Sequence, residues 1–376
     1  MRRYLENYML TDQKRIWEQY CSDELSVLSI LLQRKGYILS EAQPHLGGER
    51  YLMQAVSTTS GRKLILYGTH KNGTQVVIKA SRDQAGQNEI SHERQCREFL
   101  TSIDFASTIF HTPEELDYFR ESGFLISVQK FIDQKLTFLE RPLRDQFDYA
   151  LEAFKGQEGT HATTYKHLSR IKKVYGIRTG DDYVENFAKF HSTVSYLLPE
   201  EKPLHRLLSE TYGVLSEEIN TIDQYSNFLT HTDFVPHNFR IDTNGIMYLL
   251  DYSSLIFGNK YESWARFLNF MTLYNTKLES ALVKYVTLNR STEEQRSLTL
   301  MRLYRLGEII RYYTGTLEKS EGNLKQLNEA RINFWSEVLK ATLDGRSVLE
   351  KIRVDYQITR DSLRSDDERK RQVGLH

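Results

Sequence analysis

Three side chains lie at spacings that suit phosphoryl transfer. They are Asp233, Asn238 and, thirteen residues later, Asp251. In transfer from a magnesium nucleotide, one carboxylate orients the acceptor hydroxyl, while an amide and a second carboxylate hold the metal. The alternative is that Asp233 caps a helix or turn, and that Asn238 and Asp251 only bound the segment between them.

The segment between Asn238 and Asp251 reads as strand, tight turn, strand. Residues 239–242 and 246–250 form the predicted strands, and the Thr-Asn-Gly at 243–245 is a turn of the kind that hairpins favour. Such a hairpin returns Asp251 to the side of Asn238. Two oxygen ligands that converge with nucleotide phosphates and water suit Mg²⁺, which is seldom held by protein ligands alone.

A second cluster lies upstream, where a lysine ends a β-branched run. Lys79 follows the Gln-Val-Val-Ile of residues 75–78, and Glu93 comes fourteen residues later in a segment that reads as helix. A strand lysine reaches the α- and β-phosphates when a helix-borne carboxylate holds it. We expect that carboxylate to be Glu93, because Glu89 is predicted at or before the helix start and Glu98 is rotated by about 140°. Alternatively, Lys79 is a solvated lysine and Glu93 a surface acid.

A loop of small residues joins two predicted strands, 50–56 and 63–68. Its backbone amides and hydroxyl groups can lie over phosphates. We therefore take Ser57, Ser60 and Gly61 as nucleotide-contacting candidates, although a plain hairpin turn explains the local sequence equally well.

These motifs together look like those of a known family. The predicted helix 183–191, the His-x-Asp-x-x-x-x-Asn motif at 231–238, the hairpin and Asp251 resemble the aminoglycoside phosphotransferase and choline kinase branch of the protein-kinase-like fold. The resemblance covers roughly residues 46–275. It implies an α+β, two-lobed fold with a small antiparallel-sheet N-lobe and a mostly helical C-lobe.

The resemblance also implies a function. The branch uses ATP to phosphorylate hydroxyl groups of small molecules. Asp233 is then expected to position and deprotonate the acceptor, Asn238 and Asp251 to bind Mg²⁺, and Lys79 with Glu93 to engage the phosphates. The acceptor, the choice between ATP and GTP, and the oligomeric state stay open.

The nucleotide base is expected to lie at the segment that joins the two lobes. Residues 123–132 read as a buried strand that runs into an extended connector. In a two-lobed kinase, the chain crosses between lobes here and offers backbone groups to the adenine edge. The backbone from Lys130 to Ile132 is the candidate contact, and a buried strand with no such role is the alternative.

The chain departs from the family pattern in three places. Tyr252-Ser253 follows Asp251, which is unlike protein kinases and is tolerated among small-molecule kinases. Glu262 stands where relatives have an aspartate, and it is expected to replace that aspartate in a structural role. The segment 136–180 is longer than in many relatives. The alternatives to an active small-molecule kinase are a protein kinase and a catalytically silent protein that binds nucleotide or a partner. We expect packing or bracing roles for His191 and His231.

The stretch from Gly159 to Gly180 has a local positive charge. It contains five basic residues, two histidines and no acid. The simpler interpretation is a solvated helix face. The sharper hypothesis is that Lys172 and Lys173 approach an anionic acceptor or the nucleotide phosphates.

Composition suits an enzyme that works in the cytoplasm. The 376 residues suffice for two cores, and 50 basic and 50 acidic residues leave no net field to attract nucleic acid or an anionic membrane. Two cysteines provide neither a disulfide framework nor metal-ligand spacing. The apolar run 26–32 is far shorter than the ~20 residues of a membrane span, and the N-terminus lacks the form of a signal peptide.

The sequence divides into four predicted parts. Residues 1–45 are expected to form a helical extension and 46–132 the nucleotide-binding N-lobe. Residues 133–356 are expected to form the helical C-lobe with the catalytic loop. Residues 357–376 are expected to form a disordered tail, because the chain from about Arg360 is charge-rich and nearly free of apolar side chains.

Overall fold

The computed structural model describes residues 2–43, 46, 62–102, 110–159, 168–317 and 319–371, with the backbone alone over 2–14 and at 168 and 371. The predicted strand 50–56 and the candidates Ser57, Ser60 and Gly61 lie outside the described residues.

A five-stranded antiparallel sheet forms the small lobe. The strand order is β1-β2-β3-β5-β4. The strands are β1 at Tyr37–Leu39, β2 at Leu64–His70, β3 at Gln75–Ser81, β4 at Glu115–Glu121 and β5 at Phe124–Lys130. Cross-strand partners of β2 and β3 include Ile65 with Lys79 and Tyr67 with Val77, which fixes the residues that share a face.

The two faces of the sheet pack against different helices, because successive strand residues point to opposite sides. One face, with Leu66 and Ile78, packs against helix α1, Arg2–Arg34, through Trp17 and other apolar side chains. The other face carries Lys79 and is approached by helix α2, Gln84–Thr101. The sheet thus turns its charged side chains toward α2 and the large lobe.

Helices make up most of the large lobe. They are α3 at Leu143–Glu158, α4 at Leu168–Val174, α5 at Gly180–Leu197, α6 at Lys202–Glu217, α7 at Ile219–Gln224, α8 at Glu262–Tyr274, α9 at Thr276–Asn289, α10 at Thr292–Leu317, α11 at Gly322–Leu343, α12 at Glu350–Ser362 and α13 at Asp366–Arg371. Their core is rich in aromatic rings, such as the stacked pair of Phe154 and Trp264 with centroids 4.0 Å apart. Among the described residues, no helix is long and apolar enough to cross a membrane.

Two small antiparallel pairs hold the segment with the predicted catalytic residues. Strand β6, Phe228–His231, pairs with β9, Leu255–Gly258, and β7, Phe239–Ile241, pairs with β8, Met247–Leu249. In the β7–β8 turn, the Asp242 carboxylate accepts the amides of Asn244 and Ile246 at 2.9 Å. Gly245 adopts a φ of +82°, which glycine tolerates readily. The predicted hairpin is confirmed.

The expected helical extension includes a strand of the sheet. Helix α1 ends before Gly36, whose φ of +87° reverses the chain, and Tyr37–Leu39 then pair with β2. Tyr37 is buried in the same apolar cluster as Trp17 of α1. A three-residue strand next to a long helix has too weak a local pattern to be read from the sequence.

The expectation of a disordered tail over 357–376 is wrong for its described part. Helices α12 and α13 extend to Arg371. The Tyr356 ring stacks on Phe334 with centroids 4.4 Å apart, and the Gln357 amide donates to the Leu273 carbonyl at 3.0 Å. Sparse but well-placed contacts therefore dock a polar helix onto the large lobe.

Candidate active site

A cavity of about 370 Å³ lies between the sheet and the β7–β8 hairpin. We call it the cleft. From the small lobe it is lined by Lys63, Lys79, Glu89 and Glu93, and from the large lobe by Asp233, Asn238 and Asp251. The backbone that joins the lobes, Gln129 to Ile132, lines it as well. The structure therefore brings together all the predicted site residues that it describes.

Lys79 and Glu93 form an ion pair across the small lobe. The Lys79 Nζ atom lies 2.5 and 2.6 Å from the two Glu93 carboxylate oxygens. Glu93 is buried, and Lys79 lies on the β3 face that looks toward α2. The bidentate contact fixes the end of a flexible side chain at the edge of the cleft.

The prediction that Glu89 lies at or before the start of the helix is wrong. Helix α2 begins at Gln84, after Asp83 as N-cap, so Glu89 lies inside the helix and one turn before Glu93. Its carboxylate is 3.0 Å from Lys63 Nζ. Glu98, by contrast, is half exposed and pairs with Arg94. The helix therefore presents two carboxylates to the cleft.

The catalytic-loop candidate Asp233 is held by two partners. Arg266 on α8 donates from Nε to Asp233 Oδ1 at 2.8 Å, and Asn238 donates from Nδ2 to Oδ2 at 2.8 Å. Asn238 Nδ2 also donates to the Asp233 carbonyl at 2.7 Å. These hydrogen bonds fix the carboxylate in place. Because the Asp233 side chain is 42% exposed, it is still open to the cleft.

Buried neighbours determine the ionisation of Asp233. Burial raises the pKa of the carboxyl group, but the guanidinium of Arg266, with smaller contributions from His231 and Arg305, outweighs burial. The net pKa of Asp233 is below its ordinary value. Asp233 is therefore an anion at neutral pH and a weak base.

Aromatic packing anchors the loop that presents Asp233. Phe234 is fully buried, stacks on Phe239 at 5.1 Å, and contacts Phe154 and Phe267. Because Phe234 points into the core, its neighbour Asp233 is turned outward.

His231 braces the loop from below. It is fully buried, and its Nε2 donates to the Asp251 carbonyl at 2.7 Å. Burial is the main cause that lowers the pKa of His231. The hydrogen bond links the end of β6 to the start of the segment after β8, which fits the expected bracing role.

Asp251 and Asn238 are adjacent across the hairpin. The Leu250 amide donates to the Asn238 carbonyl at 2.9 Å, which places Asp251 next in line. The Asp251 carboxylate accepts hydrogen bonds from Ser253 at 2.6 Å and Ser254 at 2.7 Å. Burial raises the pKa of Asp251. His231 and the hydrogen bonds from the two serines lower this pKa by more than burial raises it, so the net pKa is below the ordinary value.

This donor set fits Mg²⁺ bound together with phosphates. Because the Asn238 amide nitrogen is committed to Asp233, the amide oxygen remains as the acceptor of this side chain, and each Asp251 oxygen keeps a further lone pair. Within the described ranges, no group of three or more His, Cys, Asp or Glu side chains could hold a metal alone. Two protein oxygens suit an ion that takes most of its ligands from phosphate and water.

The connector offers a narrow choice of backbone donors. The Lys130 amide donates to the Glu114 carbonyl, and the Phe131 amide donates to the Gln75 carbonyl, both at 2.9 Å. Neither amide can therefore also donate a hydrogen bond to the nucleotide base. Within the predicted segment, the Ile132 amide is the remaining donor, and Lys130 can contribute only its carbonyl.

Arg240 lies below this connector and was not predicted. Its Nη1 donates to the Ile132 carbonyl at 3.3 Å, and its guanidinium lies 4.7 Å from the Phe131 ring centre. Arg240 lies on β7 between the buried Phe239 and Ile241, so strand alternation is the signal that would have turned it toward the cleft.

Glu262 is the centre of a buried network behind the site. It accepts hydrogen bonds from Arg178 at 3.0 Å, Arg305 at 3.2 Å and the Tyr183 hydroxyl at 2.5 Å. Its side chain is fully buried. This environment fits the structural role expected for the glutamate that replaces the family's aspartate.

The basic segment 159–180 is only partly described. Arg178 is committed to Glu262, and the Arg170 guanidinium lies 5.0 Å from the Phe99 ring centre. Lys172 and Lys173 are exposed on α4 and do not line the cleft.

Comparison by sequence yields no match, either to models of protein families or to curated proteins. Comparison by structure does. A thermostable mutant of aminoglycoside phosphotransferase APH(4)-Ia, in its apo form, superposes with a TM-score of 0.59 at 14% identity, over 84% of this chain and 97% of that one.

Two further solved structures are similar. Aminoglycoside 2'-phosphotransferase-IIIa, as its GDP complex, has a TM-score of 0.57 at 13% identity, over 83% of this chain and 97% of that one. Macrolide 2'-phosphotransferase MphH from Brachybacterium faecium, an apoenzyme, has a TM-score of 0.51 at 13% identity, over 82% of this chain and 98% of that one. The predicted α+β, two-lobed architecture is confirmed, and the chain has the protein-kinase-like fold of the aminoglycoside and macrolide phosphotransferases.

Proposed function

We propose that this protein is an ATP- and Mg²⁺-dependent phosphotransferase that transfers the γ-phosphoryl group to a hydroxyl group of a small molecule. The proposal rests on one observation above all. A single cleft has the Lys79–Glu93 pair on one side and Asp233, Asn238 and Asp251 on the other.

The small lobe and the connector bind the nucleotide. Lys79, held by Glu93, contacts the α- and β-phosphates, and the Ile132 amide donates to the adenine edge. When Mg²⁺ is bound, it neutralises negative charge on the phosphates during transfer. Asn238 and Asp251 are the residues that hold it, through the amide oxygen and the carboxylate.

The large lobe orients the acceptor. The acceptor hydroxyl oxygen forms a bond to the γ-phosphorus, the bond from that phosphorus to the β,γ-bridging oxygen breaks, and ADP leaves. The hydroxyl proton passes to Asp233. Because Arg266 keeps Asp233 ionised and weakly basic, Asp233 acts first by orienting the hydroxyl and accepts the proton late in the transfer.

The structural comparisons support this function. The similar folds belong to aminoglycoside and macrolide phosphotransferases, and one solved APH(4)-Ia structure is a ternary complex with ADP and hygromycin B. Tyr252-Ser253 after Asp251 is consistent with a small-molecule acceptor.

Substitution of Asp233 tests the proposal. Asp233→Asn should lower turnover on the order of 10²–10⁴-fold and leave nucleotide affinity unchanged, because the amide keeps the shape and loses the base. Asp148→Asn is the matched control, since Asp148 is exposed on α3. If Asp233→Asn retains wild-type turnover, the assigned mechanism is wrong.

One observation favours a second function, that of a catalytically silent nucleotide-binding protein. Both Asp233 oxygens already have partners, Arg266 and Asn238. Magnesium-dependent ATP consumption with and without hydroxylated acceptors separates the two. Product formation excludes the silent protein, whereas nucleotide binding without product across the acceptors supports it.

A further inference from the structure

Lys63 is a second lysine in the cleft. It lies immediately before β2, and its side chain is 19% exposed. Its Nζ atom is 3.0 Å from the Glu89 carboxylate. It is not one of the residues of the family motif.

Strand register places Lys63 beside Lys79. Ile65 on β2 is the cross-strand partner of Lys79 on β3. Because side chains alternate, Lys63 points to the same face as Ile65 and therefore as Lys79. Both lysines line the cleft. Glu89 and Glu93, one helical turn apart on α2, receive one lysine each, so the small lobe presents two parallel ion pairs.

The surroundings of Lys63 keep it charged. Burial lowers the pKa of the ammonium group, but Glu89, Glu93 and Asp251 together outweigh burial and raise it above the ordinary value. Asp251 lines the same cleft from the large-lobe side. An ammonium with one carboxylate partner keeps two N–H donors for another anion.

Stability alone is a weak reason for this pair. Partly exposed ion pairs contribute little to folding stability. The anion that the cleft is proposed to bind is a triphosphate, for which a second ammonium group is a direct ligand.

We propose that Lys63 is a second phosphate-binding cation, which contacts the terminal phosphates of the nucleoside triphosphate, and that Glu89 is the positioning residue that holds it before the nucleotide binds. The inference rests on the proposed function, because it requires that the cleft take a nucleotide. It adds a ligand for the phosphates beyond Lys79.

The test compares ligands that differ only in phosphate. The affinities of AMP-PNP with Mg²⁺ and of adenosine are measured by calorimetry for the wild type and for Lys63→Gln. We expect AMP-PNP to bind about tenfold more weakly to Lys63→Gln and adenosine to bind equally well. Lys63→Arg should recover most of the lost affinity, and Glu89→Gln should cost less than Lys63→Gln, because Lys63 stays charged. Lys71→Gln, an exposed lysine in the β2–β3 turn, is the control of equal charge.

The outcomes separate the inference from the function on which it rests. If Lys63→Gln leaves the ratio of the two affinities unchanged, or if Lys71→Gln alters it equally, the inference about Lys63 is overturned while the proposed function stands. If the wild type binds neither AMP-PNP nor adenosine, the proposed function fails and the inference fails with it.

Discussion

On the small-lobe wall of the cleft, two lysines are paired with carboxylates from another element, Lys63 with Glu89 and Lys79 with Glu93. On the large-lobe wall, the carboxylate of Asp251 is held by serines of its own segment, and Asp233 is held by its own loop and one distant arginine, Arg266. The first wall is locally neutral, whereas the second presents anionic oxygens.

The difference matches the two tasks of phosphoryl transfer. Ion pairs between a strand and a helix keep ammonium groups extended and available to phosphate without a large unbalanced charge. Carboxylates held by short-range hydrogen bonds keep their lone pairs in a fixed direction, which a metal ion and an acceptor hydroxyl require. The small lobe therefore offers ammonium groups to the phosphates of the nucleotide. The large lobe holds the carboxylates that position the metal ion and the acceptor hydroxyl.

After Asp233→Asn, the next largest effect is expected on the same large-lobe wall, from Asp251→Asn. Loss of the carboxylate should reduce turnover on the order of 10²–10³-fold and raise the Mg²⁺ concentration needed for half-maximal rate. Ser254→Ala, which removes one hydrogen bond and keeps the carboxylate, should cost far less. A magnesium titration of steady-state rates measures both. Equal Mg²⁺ dependence in Asp251→Asn and the wild type would show that Asp251 is not a metal ligand.

A smaller effect is expected on the small-lobe wall, from Glu93→Gln. Lys79 then loses its charged partner, and we expect KM for ATP to rise about tenfold with a smaller change in kcat. Glu98→Gln, on the same helix and half exposed, is the matched control. If both variants raise KM equally, general loss of helix charge explains the result and the Lys79–Glu93 pair has no special role.

On both walls, only a part of the site can be predicted from the sequence. The sequence predicts Lys79, Glu93 and the β7–β8 hairpin correctly, because the patterns that indicate them involve only residues close together in the chain. These patterns are strand alternation, the rotation of side chains around a helix and the Asn-Gly turn. Glu89 is not predicted as a cleft residue, because the predicted start of the helix is too late. In the structure, Asp83 is the N-cap and the helix begins at Gln84. Arg266 was missed because it contacts Asp233 from a helix 33 residues along the chain, a contact that only tertiary packing creates.

The fold shows the same limit. The two lobes and the catalytic hairpin follow from motif order. The strand Tyr37–Leu39 and the docking of α12 through Tyr356 depend on partners that are far away in sequence. Neither has a local pattern of its own.

The pH dependence of Arg266→Gln sharpens the account of Asp233. Arg266 holds the pKa of Asp233 below its ordinary value, so the acid limb of kcat/KM in the wild type lies at low pH. Removal of Arg266 raises that pKa, and the acid limb should move to higher pH. Activity at neutral pH should fall about tenfold, and Arg266→Lys, which keeps the charge, should restore the position of the limb in part.

Folding stability provides an independent check on Arg266. A carboxyl group whose pKa is depressed in the folded state stabilises the fold above its unfolded-state pKa, and this contribution is lost as pH falls through the folded-state pKa. The difference in thermal stability between the wild type and Arg266→Gln should therefore be larger at neutral than at strongly acidic pH. An acid limb that does not move in Arg266→Gln would contradict the pairing as the cause of the low pKa.

The smallest effect is expected outside both walls, at Lys172 and Lys173. Because both are exposed on α4 and do not line the cleft, charge reversal of the pair should change KM for ATP and for the acceptor by less than about twofold. Steady-state kinetics checks this. A marked rise in KM for the acceptor would instead support the hypothesis that the basic segment contacts an anionic acceptor.

The most direct measurement is Mg²⁺-dependent consumption of ATP by the wild type and by Asp233→Asn against amino sugars, sugars, choline and homoserine, with the phosphorylated product identified by mass spectrometry. We expect at least one hydroxylated acceptor to be phosphorylated by the wild type and turnover to be lost in Asp233→Asn, which should bind ATP as well as the wild type does. Equal product formation by both proteins, or ATP binding with no product from any acceptor, would contradict the account.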